Sequence, residues 1–120
     1  MISLLRRGPG RLTPQRAHQR TSDGKAVLLD VRETPEWQAG HAPGALHLPL
    51  SRLTAGASLP ASTQDRPVVA ICRSGHRSQQ AAKLLAGRGI EAADVIGGMT
   101  AWAREGLPMT GRGGGSGVVA

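Results

Sequence analysis

The sequence predicts an α/β protein that folds as a single domain around a parallel sheet, with helices on both faces of the sheet. Its 120 residues fall within the usual size of one domain. Two continuous apolar runs, residues 26–29 (AVLL) and 68–71 (VVAI), have the composition of strands that are buried on both faces. Helical patterns lie between the strand patterns, and this alternation is typical of parallel sheets because parallel strands need crossover connections.

The composition is sufficient for a core, but the core is poor in aromatic residues. Hydrophobic residues make up 39% of the chain, which has no Phe or Tyr and has two tryptophans, Trp37 and Trp102. The core must therefore be built from Ala, Leu, Val and Ile, and we expect both tryptophans to pack where helices contact the sheet. This apolar content excludes an intrinsically disordered chain.

The net charge of +7 is concentrated near the N-terminus. Residues 1–25 hold six of the 15 basic residues and one acid, whereas residues 26–110 hold eight basic and seven acidic residues. We therefore expect a flexible basic arm over residues 1–10 in front of a nearly neutral domain over residues 11–110. Such an arm binds phosphates weakly and without sequence preference, and aromatic platforms for bases are almost absent. No specific nucleic-acid partner is predicted.

No membrane partner is predicted either. No window approaches the ~20 apolar residues that a helix needs to cross a bilayer, and the apolar patch at residues 2–5 is too short for a signal peptide. The single cysteine, Cys72, excludes an internal disulfide and a four-cysteine zinc site. We therefore expect a cytoplasmic protein.

Capping and turn residues place the elements in order. Thr13 followed by Pro14 predicts the N-cap and first turn of a helix over residues 15–20. The run at 26–29 predicts a strand that ends at Asp30. The same kinds of signal predict the remaining elements: a helix from Thr34 to Gly40, a strand over residues 45–48, a small helix capped by Ser51, a strand over 68–71, a helix over 78–87, a strand over 94–96 and a helix over 99–105. The glycine-rich residues 111–120 are expected to form a flexible tail.

Two segments leave predicted strands with charged or reactive side chains, at the edge where parallel sheets bind ligands. One begins at Asp30 and the other at Cys72. The loop after Cys72 leads directly into a helix, so backbone N–H groups of the first helical turn point towards the sulfur. Gly75 permits a sharp bend, and Arg73 and Arg77 add positive charge. These features favour the thiolate form of Cys72, which is a nucleophile.

The length of this loop bears on the reaction. In cysteine phosphatases an arginine stands six positions after the cysteine, whereas here Arg77 stands five positions after Cys72 and Ser78 occupies the sixth. A loop that is one residue shorter encloses a smaller ring of amides, which suits a single sulfur atom better than a tetrahedral phosphate. The spacing therefore argues against the alternative of a phosphatase or an arsenate reductase.

Four motifs in this order resemble the rhodanese (sulfurtransferase) domains over about residues 11–110. They are residues 28–33 (LLDVRE), 36–45 (EWQAGHAPGA), 72–78 (CRSGHRS), and 97–102 (GGMTAW) with 106–108 (GLP). The resemblance implies a single rhodanese-like domain in which Cys72 takes a sulfane sulfur from thiosulfate or a similar donor. The sulfur then passes through a persulfide to a thiophilic acceptor, such as cyanide or a thiol. The resemblance implies no cofactor and no metal.

The resemblance also implies roles for the residues around Cys72. The transferred sulfur and its donor are expected to bind the loop residues Arg73, Ser74, Gly75, His76, Arg77 and Ser78, with Asp30 and Arg32 in support. Several of these side chains have a second interpretation, without contact to substrate. Arg77 suits an ion pair with a carboxylate, Ser78 suits a helix cap, His76 suits a solvent-facing position, and Asp30 with Arg32 suits a pair that braces the loop.

Two classes of function remain as alternatives. A thiosulfate sulfurtransferase acts on small donors in two half-reactions, whereas a persulfide-relay or redox-signalling module takes its sulfur from a protein donor. The chain carries one rhodanese-like unit and no second half to enclose its site. We therefore expect a shallow, open site in either case.

Overall fold

The chain forms a five-stranded parallel sheet, and the computed structural model describes residues 9–111 and 117–119. The strands are β1 (Gly10–Leu12), β2 (Val27–Asp30), β3 (Leu46–His47), β4 (Val68–Ile71) and β5 (Ala92–Val95). They lie across the sheet in the order β1-β5-β4-β2-β3, and every neighbouring pair is parallel. The carboxyl ends of all five strands therefore lie at one edge of the sheet.

The described residues form five α-helices, of which the first four connect successive strands and the fifth follows β5. They are α1 (Pro14–Ser22), α2 (Thr34–Ala39), α3 (Leu50–Thr54), α4 (His76–Gly87) and α5 (Gly98–Arg104). Thr13 caps α1 as predicted, because its side chain accepts the Arg16 N–H at 3.2 Å. In the part of the chain that the structure describes, no helix is long and apolar enough to cross a bilayer.

The alternating side chains of β4 explain why both faces of the sheet are covered. Val68 and Ala70 pack on one side with Leu53 of α3 and with the buried stripe of α4. The other two residues of β4 pack on the opposite side, in a cluster with Ala17, Met99 and Trp102 from α1 and α5. All four β4 residues are buried. The structure thus confirms the predicted α/β domain with helices on both faces.

One strand of the sheet was not predicted. The edge strand β1 is short and polar, so its sequence carries no strand pattern. It pairs with β5, and Arg11 forms two hydrogen bonds of 3.0 Å with the buried carboxylate of Asp94. Its first residue, Gly10, belongs to the segment predicted as a basic arm; residues 1–8 of that segment lie outside the described residues.

Several predicted boundaries and caps were wrong. Helix α4 begins at His76, so Ser78 lies within its first turn and does not cap it. Helix α3 follows Pro49, and the Ser51 hydroxyl donates to the Glu33 carboxylate instead of capping the helix. Strand β5 begins and ends earlier than predicted, β3 is shorter, and residues 61–63 of the expected loop form a 3-10 helix. Tertiary partners decide each of these details.

Part of the predicted tail contacts the domain. The Val118 N–H donates to the Ala39 carbonyl at the end of α2, and Val119 packs against the cluster beneath α1 and α5. Residues 112–116 and 120 lie outside the described residues. The segment 117–119 is held close to Gly40, where two backbones meet with no side chain between them.

A methyl group at Gly40 tests this contact. A Cβ atom there would lie 2.5 Å from the backbone nitrogen and oxygen of Val118, so we expect Gly40→Ala to displace residues 117–119. Urea unfolding should show a destabilisation of about 1–3 kcal/mol, as overpacking usually produces. In a chain shortened to end at residue 111, the same substitution should have little effect. Equal destabilisation in both chains would contradict the contact.

Candidate active site

Two strand ends meet at the carboxyl edge of the sheet. Asp30 of β2 lies beside Ile71 of β4 in the parallel register, and the Val31 N–H donates to the Ile71 carbonyl at 2.9 Å. The residues that follow, Arg32 on one strand and Cys72 on the other, therefore leave the sheet close together. The two segments that the sequence analysis singled out belong to one site.

The sulfur of Cys72 lies inside its loop. The Gly75 N–H donates to Sγ at 3.0 Å, and the thiol donates to the Ser78 hydroxyl at 3.3 Å, which in turn donates to the Gly75 carbonyl. This tight course requires Gly75, whose φ of +116° lies in the left-handed region. When the thiol ionises, the Ser78 hydroxyl can rotate its single hydrogen to the sulfur. The loop therefore has two donors for a thiolate.

The remaining loop residues belong to the first turn of α4 or lie at the surface. The first turn of α4 contains the amides of His76, Arg77 and Ser78, which have no acceptor within the helix. The side chains of Arg73 and His76 are exposed, and Ser74 is exposed between them. In the described part of the chain, the Arg73 guanidinium has no hydrogen-bonding or ion-pair partner. This makes Arg73 a free cation beside the cysteine.

Cys72 is more enclosed than the sequence suggested. Only 1% of the residue is exposed, and it packs with the apolar cluster beneath α4. The expectation of a shallow, open site was wrong, because the loop folds back over the sulfur through Gly75 and Ser78. A reacting group must therefore be slender to touch Sγ. Cavities of about 410 and 590 Å³ lie elsewhere, and no residue of the loop lines either of them.

The N-terminus of α5 holds the start of the loop from below. The Met99 N–H donates to the Cys72 carbonyl at 2.7 Å, and the Thr100 N–H donates to the Arg73 carbonyl at 3.0 Å. Both bonds depend on Gly98, because a Cβ atom at its φ of +57° would collide with the two carbonyls. This anchor was not predicted from the sequence. The signal was a glycine pair directly after a buried strand.

Arg77 is held by an ion pair. Its guanidinium donates to both oxygens of Glu36 on α2, at 2.6 and 2.8 Å. The Arg77 bonds, opposed by desolvation and aided by the Glu33 N–H, lower the pKa of Glu36 to about 2. The bonds to Glu36, opposed by desolvation, raise the pKa of Arg77. The pairing with a carboxylate, one of the two roles considered for Arg77, is therefore observed. Glu36 itself was not singled out as a site residue.

Asp30 and Arg32 form a second pair, which is completely buried. The Arg32 side chain donates to both Asp30 oxygens at 2.8–3.1 Å and to the Gly40 carbonyl at 2.6 Å. Both side chains are 0% exposed, so neither has a surface that a donor in solvent could touch. The pair fixes the end of β2 against the residue that follows α2, which is the helix that carries Glu36.

The two tryptophans have different environments. Trp102 is buried between helix and sheet as expected, and its indole N–H donates to the Pro108 carbonyl. Trp37 of α2 is half-buried, and its ring stacks on the imidazoles of His41 and of His47 in β3, with ring centroids 3.5 and 4.7 Å apart. Both imidazoles donate to backbone carbonyls, those of Trp37 and Arg32. This stack holds α2 against β3 and against the loop that leads to it.

The fold and the loop together define an α/β protein with a cysteine at the carboxyl end of a central strand, beside a helix N-terminus. Such a position favours thiolate chemistry. The sequence matches the rhodanese-like domain family over residues 13–105. The chain therefore belongs to the rhodanese-like domain family, as its motifs indicated.

Individual relatives agree with this assignment. The adenylyltransferase and sulfurtransferase UBA4 of Yarrowia lipolytica is 35% identical over 94 residues, which cover 78% of this chain but 24% of the relative. The chain thus spans about a quarter of the length of this curated relative. The activities in the name of that relative are those of a much longer chain.

Solved structures share the fold. A rhodanese-related protein from Thermoplasma volcanium has a TM-score of 0.73 at 26% identity, covering 84% of this chain and 97% of its own. A rhodanese homolog from Thermus thermophilus has a TM-score of 0.62 at 29% identity, covering 76% and 98%. A protein of unknown function from Rhodopseudomonas palustris, described as a possible tyrosine phosphatase, has a TM-score of 0.74 at 27% identity, covering 83% of each chain.

The anchor at Gly98 can be tested by a single methyl group. We expect Gly98→Ala to push away the Cys72 and Arg73 carbonyls, and the left-handed backbone adds strain of about 1–2 kcal/mol. The rate at which iodoacetamide alkylates Cys72 should change at least about threefold, since the Gly75 amide loses its position. Gly87→Ala is the matched control, because no atom lies within 4 Å of its Cβ position. An unchanged alkylation rate in a folded Gly98→Ala protein would contradict the anchor.

The ion pair between Glu36 and Arg77 predicts a pH dependence. Because folding lowers the pKa of Glu36 from 4.5 to about 2, its stabilisation is complete above about pH 5 and is lost as the pH falls towards 2. Urea unfolding should show a loss of roughly 1–3 kcal/mol over this range from this group. Glu36→Gln should remove that component, whereas Glu105→Gln, at an exposed acid, should retain it. Identical pH profiles for the two variants would contradict the assignment.

Proposed function

We propose that this protein is a sulfurtransferase that carries a sulfane sulfur as a persulfide on Cys72. The observation that carries the proposal is the contact of 3.0 Å between the Gly75 N–H and the Cys72 sulfur, inside a loop that begins a helix. A preorganised amide at this position stabilises a thiolate before reaction and a persulfide anion after it. Family membership and the sulfurtransferase named among the relatives support the same reaction class.

We propose thiosulfate as the donor. The Cys72 thiolate attacks the outer sulfur of thiosulfate, the S–S bond of the donor breaks, and sulfite leaves with the electron pair. The product is a Cys72 persulfide whose outer sulfur carries the negative charge. Cyanide or a thiolate then attacks that outer sulfur, the bond to Cys72 breaks, and the thiolate is restored. The two half-reactions are separate, so the kinetics are ping-pong.

The loop residues have different roles in the proposed reaction. Gly75 contributes its amide, and Ser78 contributes its hydroxyl and its place in the first turn of α4. Arg73 attracts the anionic donor, since its guanidinium is exposed and has no partner in the described residues. Arg77 contributes less to donor binding than the sequence suggested, because Glu36 occupies its guanidinium.

The outer residues act by positioning. Ser74 and His76 are exposed, and together with Arg73 they form the outer surface of the loop, its mouth. The buried pair of Asp30 and Arg32 braces the site from the neighbouring strand, without contact to the donor. No step of the reaction calls for a metal or an organic cofactor, because the electron pairs move only between sulfur atoms and the acceptor.

A persulfide relay with a protein donor is the second candidate. The enclosure of Cys72, with 1% of the residue exposed, favours a sulfur presented at the tip of a slender group, and a protein persulfide is such a group. A phosphatase is disfavoured, because the loop is one residue short and its arginine is engaged by Glu36. We also retain a cytoplasmic location as part of this proposal.

Replacement of the nucleophile tests the proposal. Cys72→Ser should lower thiocyanate formation from thiosulfate and cyanide at least about a thousandfold, as removal of other catalytic nucleophiles does. After incubation with thiosulfate alone, intact-mass spectrometry should show a gain of about 32 Da, one sulfur atom, in the unsubstituted protein and none in the variant. Thermal unfolding of both proteins checks that the fold is kept. Normal turnover by the folded variant would contradict the proposal.

A further inference from the structure

An apolar side chain is exposed directly beside the cysteine loop. Ile96 is 42% exposed, and it follows β5 at the carboxyl edge of the sheet. Its neighbour Gly97 lies against the loop, with the Gly97 nitrogen 3.5 Å from the position of a Cβ atom on Gly75. In the described part of the chain, the other large exposed hydrophobic residue is Val118, which lies beside Ala39. Ile96 therefore marks the surface next to the loop.

Cations lie around the same position. The guanidinium of Arg11 is 3.8 Å from that Cβ position on Gly75, and its side chain remains 45% exposed although it bonds to Asp94. Arg73 stands two residues before Gly75 and is exposed without a partner in the described residues. Asp94 holds Arg11 in two hydrogen bonds of 3.0 Å, and such a pair has little net charge. The unpaired positive charge beside the loop is therefore that of Arg73.

We propose that Arg73 and Ile96 form a docking surface, the rim patch, for an extended acidic segment of a protein that accepts sulfur from Cys72. This proposal rests on the proposed function and deepens it by naming the partner. Charge complementarity selects acidic side chains over basic ones. Ile96 adds an apolar contact for a residue of the partner segment.

The enclosure of Cys72 explains why the segment must be extended. An outer persulfide sulfur stands one S–S bond, about 2.05 Å, from Sγ, so it rises little above a sulfur that is only 1% exposed. The flat surface of a folded partner stops at the exposed side chains of the mouth, Arg73 and His76. A single strand of chain with its thiol at the tip reaches closer to the sulfur than such a surface does. The acceptor thiolate attacks the outer sulfur, the bond to Cys72 breaks, and the segment leaves as a persulfide.

Three synthetic peptides test the rim patch. The first has one cysteine flanked by Asp, Glu and one Leu; the second replaces its acids with Lys; the third replaces its Leu with Ser. With Cys72 loaded from thiosulfate, the first should accept sulfur roughly tenfold faster than the second at low salt. This advantage should shrink as salt screens the charges. The first peptide should also accept sulfur about threefold faster than the third, because the third peptide lacks the apolar contact.

Matched variants connect these differences to the rim patch. Ile96→Ser should make the first and third peptides equal without changing the reaction with cyanide. Val118→Ser, at an exposed apolar residue away from the loop, should leave the peptide preference intact. Arg73→Gln should reduce the preference for acidic over basic peptide. Equal rates for all three peptides, or a preference that survives Ile96→Ser and Arg73→Gln, would overturn the proposal.

A binding measurement separates this proposal from the proposed function. Fluorescein-labelled peptides with Ser in place of Cys bind the unloaded protein without sulfur chemistry, and their anisotropy should rank the acidic Leu peptide first. If no persulfide forms on Cys72 but this ranking holds, the proposed function fails and the rim patch stands. If the persulfide forms and the ranking is absent, the rim patch fails and the proposed function stands.

Discussion

The hydrogen bond from the Gly75 amide to the Cys72 sulfur is the contact on which the site depends. It exists because the chain passes within four residues from a buried strand into a helix, which needs a left-handed residue at Gly75. The loop is also held from below, where α5 binds its first two carbonyls. Without these supports the sulfur would be a buried thiol like any other in a core. With them it faces amides that stabilise negative charge.

Most arginines near the site are already occupied by carboxylates. Glu36 holds Arg77, Asp30 holds Arg32, and Asp94 holds Arg11, so each cation contributes mainly to architecture. Such pairs leave little net field, because opposite charges at hydrogen-bonding distance cancel at longer range. Arg73 is different, since it is exposed and has no partner in the described residues. The proposed attraction of anionic donors and acidic partners therefore depends chiefly on this one side chain.

The enclosure of the cysteine limits what reacts there. A sulfur that is 1% exposed meets a slender donor and excludes a bulky one, whatever the charge of the donor. The proposed reaction needs only that the nucleophile reach the transferred sulfur, because one neutral sulfur atom passes to the acceptor while the leaving group keeps the electron pair of the broken bond. Selectivity then arises from the surface around the mouth, where Ile96 and Arg73 are exposed. The residues proposed to carry out the reaction therefore differ from those proposed to select the partner.

The sequence alone was enough to predict the α/β class, the buried strands β2 and β4, the cap of α1 and the place of Cys72 before a helix, because these depend on local pattern and capping. It did not indicate β1, whose polar residues become a strand through pairing with β5. It also did not indicate Glu36, Gly98 or the stack around Trp37, which acquire their roles from residues distant in the chain. The enclosure of Cys72 belongs to the same group, since exposure is a property of packing. Local signals are short-range interactions along the chain, whereas pairing, anchoring and burial require the folded neighbours to be in place.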